Sequence, residues 1–133
     1  MKPGKRILVV DDDESYRAIL RHHLETLGYE VLEAEDGIQA IRLTSRGPLQ
    51  LMILDIVMPH TEGLETISLL RRAGVRTKIL AVSGAGQGSE YLEVAVKMGA
   101  DAKIEKIRPV SELLKLVERL TGETHTVAGA SPR

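Results

Sequence analysis

Apolar positions along the chain fall into two alternating patterns. Ile7-Leu8-Val9-Val10 is apolar with no polar alternation, the mark of a strand covered on both faces. It ends in Asp11-Asp12-Asp13. Tyr16, Ile19, Leu20, Leu24 and Leu27 then recur at helical spacing and predict a helix over 15–27, stopped by Gly28. A short strand follows over 29–34. Asp36, with Gln39 three residues on, reads as a capping box for a helix over 37–46, which Gly47-Pro48 ends. The third strand is placed over 49–55 and is broken by Met58-Pro59. Thr61 is expected to cap a helix running through Leu64, Ile67 and Leu70 to Gly74. A fourth strand is predicted over 78–82, a loop over 84–88, a helix over 89–98, a fifth strand over 102–106 and a last helix over 110–120 through Leu113, Leu114 and Val117. The unit is expected to span 1–122, with 123–133 as a flexible tail. Strands alternating with helices over short loops argue for a parallel sheet with helices on both faces.

One polar residue interrupts this pattern. Leu51 to Pro59 is an apolar stretch with the carboxylate of Asp55 inside it. Asp is disfavoured in strands and is almost never fully buried unless paired. The strand is therefore expected to end there and present Asp55 at a sheet edge. Binding crevices of open parallel sheets lie beyond the carboxyl ends of the strands. Asp11 and Asp12 end the first strand, Asp55 the third, Ser83 the fourth and Lys106 the fifth, so five polar residues meet at one edge. Two carboxylates about 4 Å apart repel by roughly 4 kcal/mol at an effective dielectric near 20. Lys106 offers one positive charge against three acids. The deficit calls for a divalent ion, and all-oxygen ligands favour Mg²⁺ or Mn²⁺. Such a site suits phosphoryl transfer with a carboxylate as nucleophile.

Composition narrows the classes. The chain has 133 residues, one domain's worth, and 43% of them are hydrophobic. It has no Phe and no Trp, so the core must be aliphatic. A net charge of -1 gives no global attraction to nucleic acid or membrane. The absence of Cys excludes disulfides and thiolate metal sites. The basic start, residues 1–6, meets acids too soon after its apolar run to be a signal peptide. The loop Gly84-x-Gly86-x-Gly88 has Ser89 where a dinucleotide motif needs its last glycine. His22, His23 and His60 are read as surface or stripe-edge residues rather than ligands.

These motifs together resemble a response-regulator receiver domain of two-component signalling over roughly residues 5–121. The resemblance rests on the acidic first-strand motif 7–13, on Ala34-Glu35-Asp36-Gly37 with Ala40, on Leu54-Asp55-Ile56-Val57-Met58-Pro59, and on Gly99-Ala100-Asp101-Ala102 followed by Lys106. It implies an α/β, flavodoxin-like, doubly wound sheet of five strands in the order 2-1-3-4-5 with five helices. It implies Asp55 as phosphoacceptor, with a histidine kinase, a phosphotransfer protein or a small acyl phosphate as donor. Mg²⁺ (or Mn²⁺) would be bound by Asp12, Asp55 and the backbone carbonyl of Val57, with Asp11 acting through water. Ser83 would hydrogen-bond the phosphoryl oxygen and Lys106 would pair with its charge. A downstream output protein, a homodimer through helix 4, strand 5 and helix 5, and a cytoplasmic location complete what the family implies. A direct nucleic-acid or membrane role is not expected. The competing readings are a degenerate receiver serving as a scaffold and a Mg²⁺-dependent phosphohydrolase. Val57 stands where a haloacid-dehalogenase-type phosphatase needs a second Asp. The chain is read as a stand-alone regulator or a part of a longer one.

Three positions depart from the family pattern. Ile107 follows Lys106 where Pro after a cis bond is usual. A cis bond before Ile107 would cost about 3 kcal/mol or more, so a trans or strained bond is expected, with a shifted loop that puts the placement of Lys106 at risk. Lys103 stands where an aromatic switch residue is usual, which suggests output through charge. Val57 is apolar, so a slow loss of the phosphoryl group is expected.

Overall fold

Alternating aliphatic strands and amphipathic helices can bury both faces of a sheet only by winding around it, and the chain does so. The computed structural model describes residues 5–57, 63–84 and 88–122. In order these form β1 (Arg6–Val10), α1 (Glu14–Thr26), β2 (Glu30–Ala34), α2 (Gly37–Thr44), β3 (Leu51–Asp55), α3 (Gly63–Arg72), β4 (Lys78–Ser83), α4 (Gly88–Met98), β5 (Ala102–Glu105) and α5 (Val110–Thr121). Every strand pair is parallel and the order is β2-β1-β3-β4-β5, as the family resemblance implies.

Side-chain alternation sorts the core into two layers. Leu8, Val10, Met52, Leu54, Ile79 and Ala81 face Ala40 of α2, Ile67 and Leu70 of α3, and Leu92 and Ala95 of α4. Ile7, Val9, Leu51, Ile53, Leu80 and Val82 face Leu20 and Leu24 of α1 and Leu113 and Val117 of α5. Each fully buried aliphatic chain is worth about 1.5–3 kcal/mol. That aliphatic burial gives the fold room to hold a few costly polar groups inside.

The expected elements all occur, with shifts of one or two residues. Strand β3 starts at Leu51 rather than 49, although Gln50 N–H still donates to Arg6 O at 2.9 Å. Helix α2 ends at Thr44, where the Thr44 and Ser45 hydroxyls turn back to the carbonyls of Ile41 and Arg42. Asp36 caps it through Gln39 N–H, and the Gln39 side chain returns to the Glu35 N–H. The stripe of α1 differs from expectation: Ile19 is exposed, while Arg17 is buried. Arg17 turns inward because Glu33 and a backbone carbonyl of β1's end lie there to receive it. Thr61, Met58, Pro59, His60, the loop at 85–87 and the expected tail lie outside the described residues. Among the described residues no helix is long and apolar enough to cross a membrane.

Candidate functional site: an acidic crevice at the carboxyl edge

Parallel strands put all their carboxyl ends on one edge, and the register fixes which residues meet there. Val10 pairs with Leu54 across β1 and β3, Asp55 with Val82 across β3 and β4, and Ser83 with Glu105 across β4 and β5. Asp11 and Asp55 therefore leave adjacent strands side by side, and Lys106 follows β5, across β4 from Asp55. Carboxylate oxygens of Asp11, Asp12 and Asp55 come within 4.8 Å of one another. Asp11 and Asp55 are buried and Asp12 is exposed, so the acids line a crevice with one open side.

Lys106 enters between the buried pair. Its Nζ lies 2.7 Å from Asp11 Oδ2 and 3.3 Å from Asp55 Oδ2. No peptide bond among the described residues is cis. The bond before Ile107 is trans, as expected, and Lys106 still reaches both acids. Lys106 N–H donates to Ser83 O at 2.8 Å and Arg108 N–H closes a turn on Glu105 O at 3.0 Å, and these bonds hold the segment without a proline.

The other carboxylate oxygens are also placed. Asp55 Oδ1 accepts the Val57 N–H at 2.9 Å, and Asp11 Oδ1 accepts the Asp13 N–H at 2.9 Å. Burial raises the Asp55 carboxyl to about 6, Asp11's charge adds to this, and Val57 N–H and Lys106 oppose it. Burial lowers the Lys106 ammonium, but its bonds to Asp11 and Asp55 outweigh that and hold it above its ordinary value. Burial, then the charges of Asp11 and Asp55, push the Tyr16 hydroxyl well up.

Ser83 is fully buried and its Oγ has no hydrogen-bond partner among the described residues. An unsatisfied buried hydroxyl costs roughly 1–3 kcal/mol, so its presence at this edge points to an acceptor that arrives from outside. The donor set fits a hard cation equally well. Oxygens of Asp11, Asp12 and Asp55 stand together with, among the described residues, the one ammonium of Lys106 against them.

Three further residues shape the crevice without a motif that singles them out. Arg17 Nη1 donates to Asp11 O at 2.5 Å, and its Nε pairs with Glu33 at 2.8 Å, where Arg21 also binds. Tyr16 lays its ring beside Lys106. Gly63 packs behind Asp55: a Cβ there would stand 2.3 Å from Ile56 Cα and 2.5 Å from Asp55 O. Helical spacing marks Tyr16 only as core, and Gly63 only as a residue near a helix start. His22 and His23 stack edge to face on α1 at 5.4 Å and take no part in the acid group.

Comparison with known proteins agrees with this geometry. Residues 7–118 match the family model described as the response regulator receiver domain. The chain is 35% identical over 119 residues to the response regulator MprA of Mycobacterium leprae, covering 90% of this chain and 52% of that protein. It thus spans about half the length of the curated relatives it matches. Among solved structures, the response regulator TrrA of Thermotoga maritima, in complex with Mg(2+)-BeF, is 35% identical with a TM-score of 0.77, covering 87% of this chain and 98% of that one. The chemotaxis protein CheY4 of Vibrio cholerae is 29% identical with a TM-score of 0.78 over 87% of this chain and 98% of that one.

Proposed function

The chain belongs to the response-regulator receiver family of two-component signalling, and from that membership we propose that it is a phosphoacceptor domain that takes a phosphoryl group on Asp55 in a Mg²⁺-dependent reaction. The observation that carries this reading is the buried Asp55 carboxylate, within reach of Lys106 and grouped with Asp11 and Asp12. With its carboxyl at about 6, Asp55 is ionised at neutral pH. An oxygen lone pair of Asp55 forms the new P–O bond, and the donor's leaving group departs with the electron pair of the bond it loses. Lys106 meets the phosphoryl charge, and the unpartnered Ser83 hydroxyl donates to a phosphoryl oxygen. Asp11, Asp12, Asp55 and the Val57 carbonyl would hold the Mg²⁺ or Mn²⁺, which supplies charge neutralisation at the moving group. TrrA, solved with Mg(2+)-BeF, supports that assignment by similarity.

A histidine kinase or phosphotransfer protein would be the donor, in the cytoplasm, and a protein-interaction surface would be the output. The unit acts as a signalling domain, taken to span 1–122. The intact acids and the placement of Lys106 favour this over a degenerate scaffold, and Val57 favours it over a phosphohydrolase. Incubation with acetyl phosphate and Mg²⁺ should add one phosphate group in mass to the wild type and none to Asp55→Asn. Equal masses, or modification of both, would overturn the reading.

A further inference from the structure

Lys106 is ringed by three groups and two of them are the acids of the site. The third is the face of Tyr16, whose centroid lies 4.6 Å from Nζ. That is within the range of a cation–π attraction, which is strongest where water is kept out. The Lys106 side chain is 19% exposed. Backbone hydrogen bonds fix where the residue leaves β5, but they do not fix a stem with four rotatable bonds. Ile107 gives no packing there, being 76% exposed.

The acids are poor permanent guides for this ammonium. Asp55 exchanges its carboxylate charge for that of the phosphoryl group when it becomes an acyl phosphate, and Asp11 shares its charge with any cation held by the grouped acids. A ring face keeps its attraction through both changes. Tyr16 is itself well held. Asp13 Oδ1 accepts its N–H and that of Ser15 at the start of α1, and the ring packs against the layer that contains Leu20 and Leu113.

We propose that Tyr16 is a positioning residue whose ring face keeps the Lys106 ammonium aimed into the crevice while the charges on Asp11 and Asp55 change. This rests on the phosphoacceptor reading above. Its test pairs a spectrum with a rate. With ¹³C-labelled lysine and the signal assigned by Lys106→Arg, the Lys106 ε-methylene protons should be displaced by the ring current in wild type and in Tyr16→Phe. They should return to ordinary positions in Tyr16→Leu, with Tyr16→Met as a second aliphatic variant should the first not fold. With Mg²⁺ and saturating acetyl phosphate, Tyr16→Phe should phosphorylate within about twofold of wild type and the aliphatic variants about five- to tenfold more slowly. The donor concentration at half-maximal rate should be little changed. An undisplaced Lys106 signal in wild type, an aliphatic variant as fast as wild type, or a Phe variant as slow as the aliphatic ones would each overturn the proposal. If wild type accepts no phosphoryl group, the phosphoacceptor reading fails, and the Lys106 signal alone then decides whether Tyr16 holds the ammonium.

Discussion

At the scale of single residues, the site combines a strained charge with an unused donor. The Asp55 carboxyl is held at about 6, above its ordinary 3.8, chiefly by burial. The folded state therefore binds this proton more tightly than the unfolded chain does. The contribution of Asp55 to stability is greatest below about pH 4 and is lost as pH rises through about 6, by roughly 3 kcal/mol at most. Lys106 works in the same direction at alkaline pH: its raised value makes a contribution that is complete at neutral pH and lost as pH rises through its folded value. In chelator, urea melts of Asp55→Asn should lack the fall between pH 4 and 6 and show about 1–3 kcal/mol more stability at pH 7. A variant that follows the wild-type pH curve would contradict this. Ser83→Ala removes a buried hydroxyl that bonds to nothing in the described structure. Its stability should be unchanged or up by about 1 kcal/mol, while phosphorylation by acetyl phosphate slows about tenfold or more. A clear loss of stability with unchanged rate would assign Ser83 to the core instead.

At the scale of elements, α1 does more than cover the sheet. Its cap Asp13, its ring Tyr16 and its guanidinium Arg17 all bear on the crevice. Arg17 joins the carbonyl of Asp11 to Glu33 on β2, so helix and two strands share one buried polar link. That link also holds the Glu33 carboxyl below its usual range, first through Arg17 and then through Arg21, against the effect of burial. Arg17→Leu keeps apolar volume but leaves the Asp11 carbonyl and part of Glu33 without partners. Chemical denaturation should show a loss of about 2–3 kcal/mol, and calorimetric titration should show weaker Mg²⁺ binding. A loss of stability with unchanged Mg²⁺ affinity would confine Arg17 to the fold. Behind β3, the close approach of Gly63 leaves no space for a side chain against Ile56.

At the scale of the whole molecule, α4, β5 and α5 bound a groove away from the crevice. Its lining carries Glu90, Glu93, Glu105 and Glu112 beside Lys103, Arg108, Lys115 and Arg119. Two of these acid–base pairs are matched within the chain, Glu93 with Lys103 and Glu112 with Arg108. Lys103, at the position where an aromatic is usual, pairs with Glu93 of α4 at 2.9 Å, so its charge is met within the chain. Exposed pairs are worth at most about 1 kcal/mol. Lys103→Glu should therefore leave the melting curve nearly unmoved, and a loss well above about 1 kcal/mol in chemical denaturation would contradict this.

The sequence by itself determined the strand and helix order, the two-sided sheet and the five polar strand ends, because periodicity and turn residues act locally. Asp55 stood out because a carboxylate in an aliphatic run has to be explained wherever it lies. Only the tertiary structure decided that Lys106 reaches Asp11 and Asp55 with Ile107 in place of proline. It also decided that Arg17 rather than Ile19 turns inward, that Gly63 lies against Ile56, and that Tyr16 faces an ammonium ninety residues further along the chain. Each of these depends on which distant backbone stands opposite. That is set by strand order and register, not by spacing along the chain.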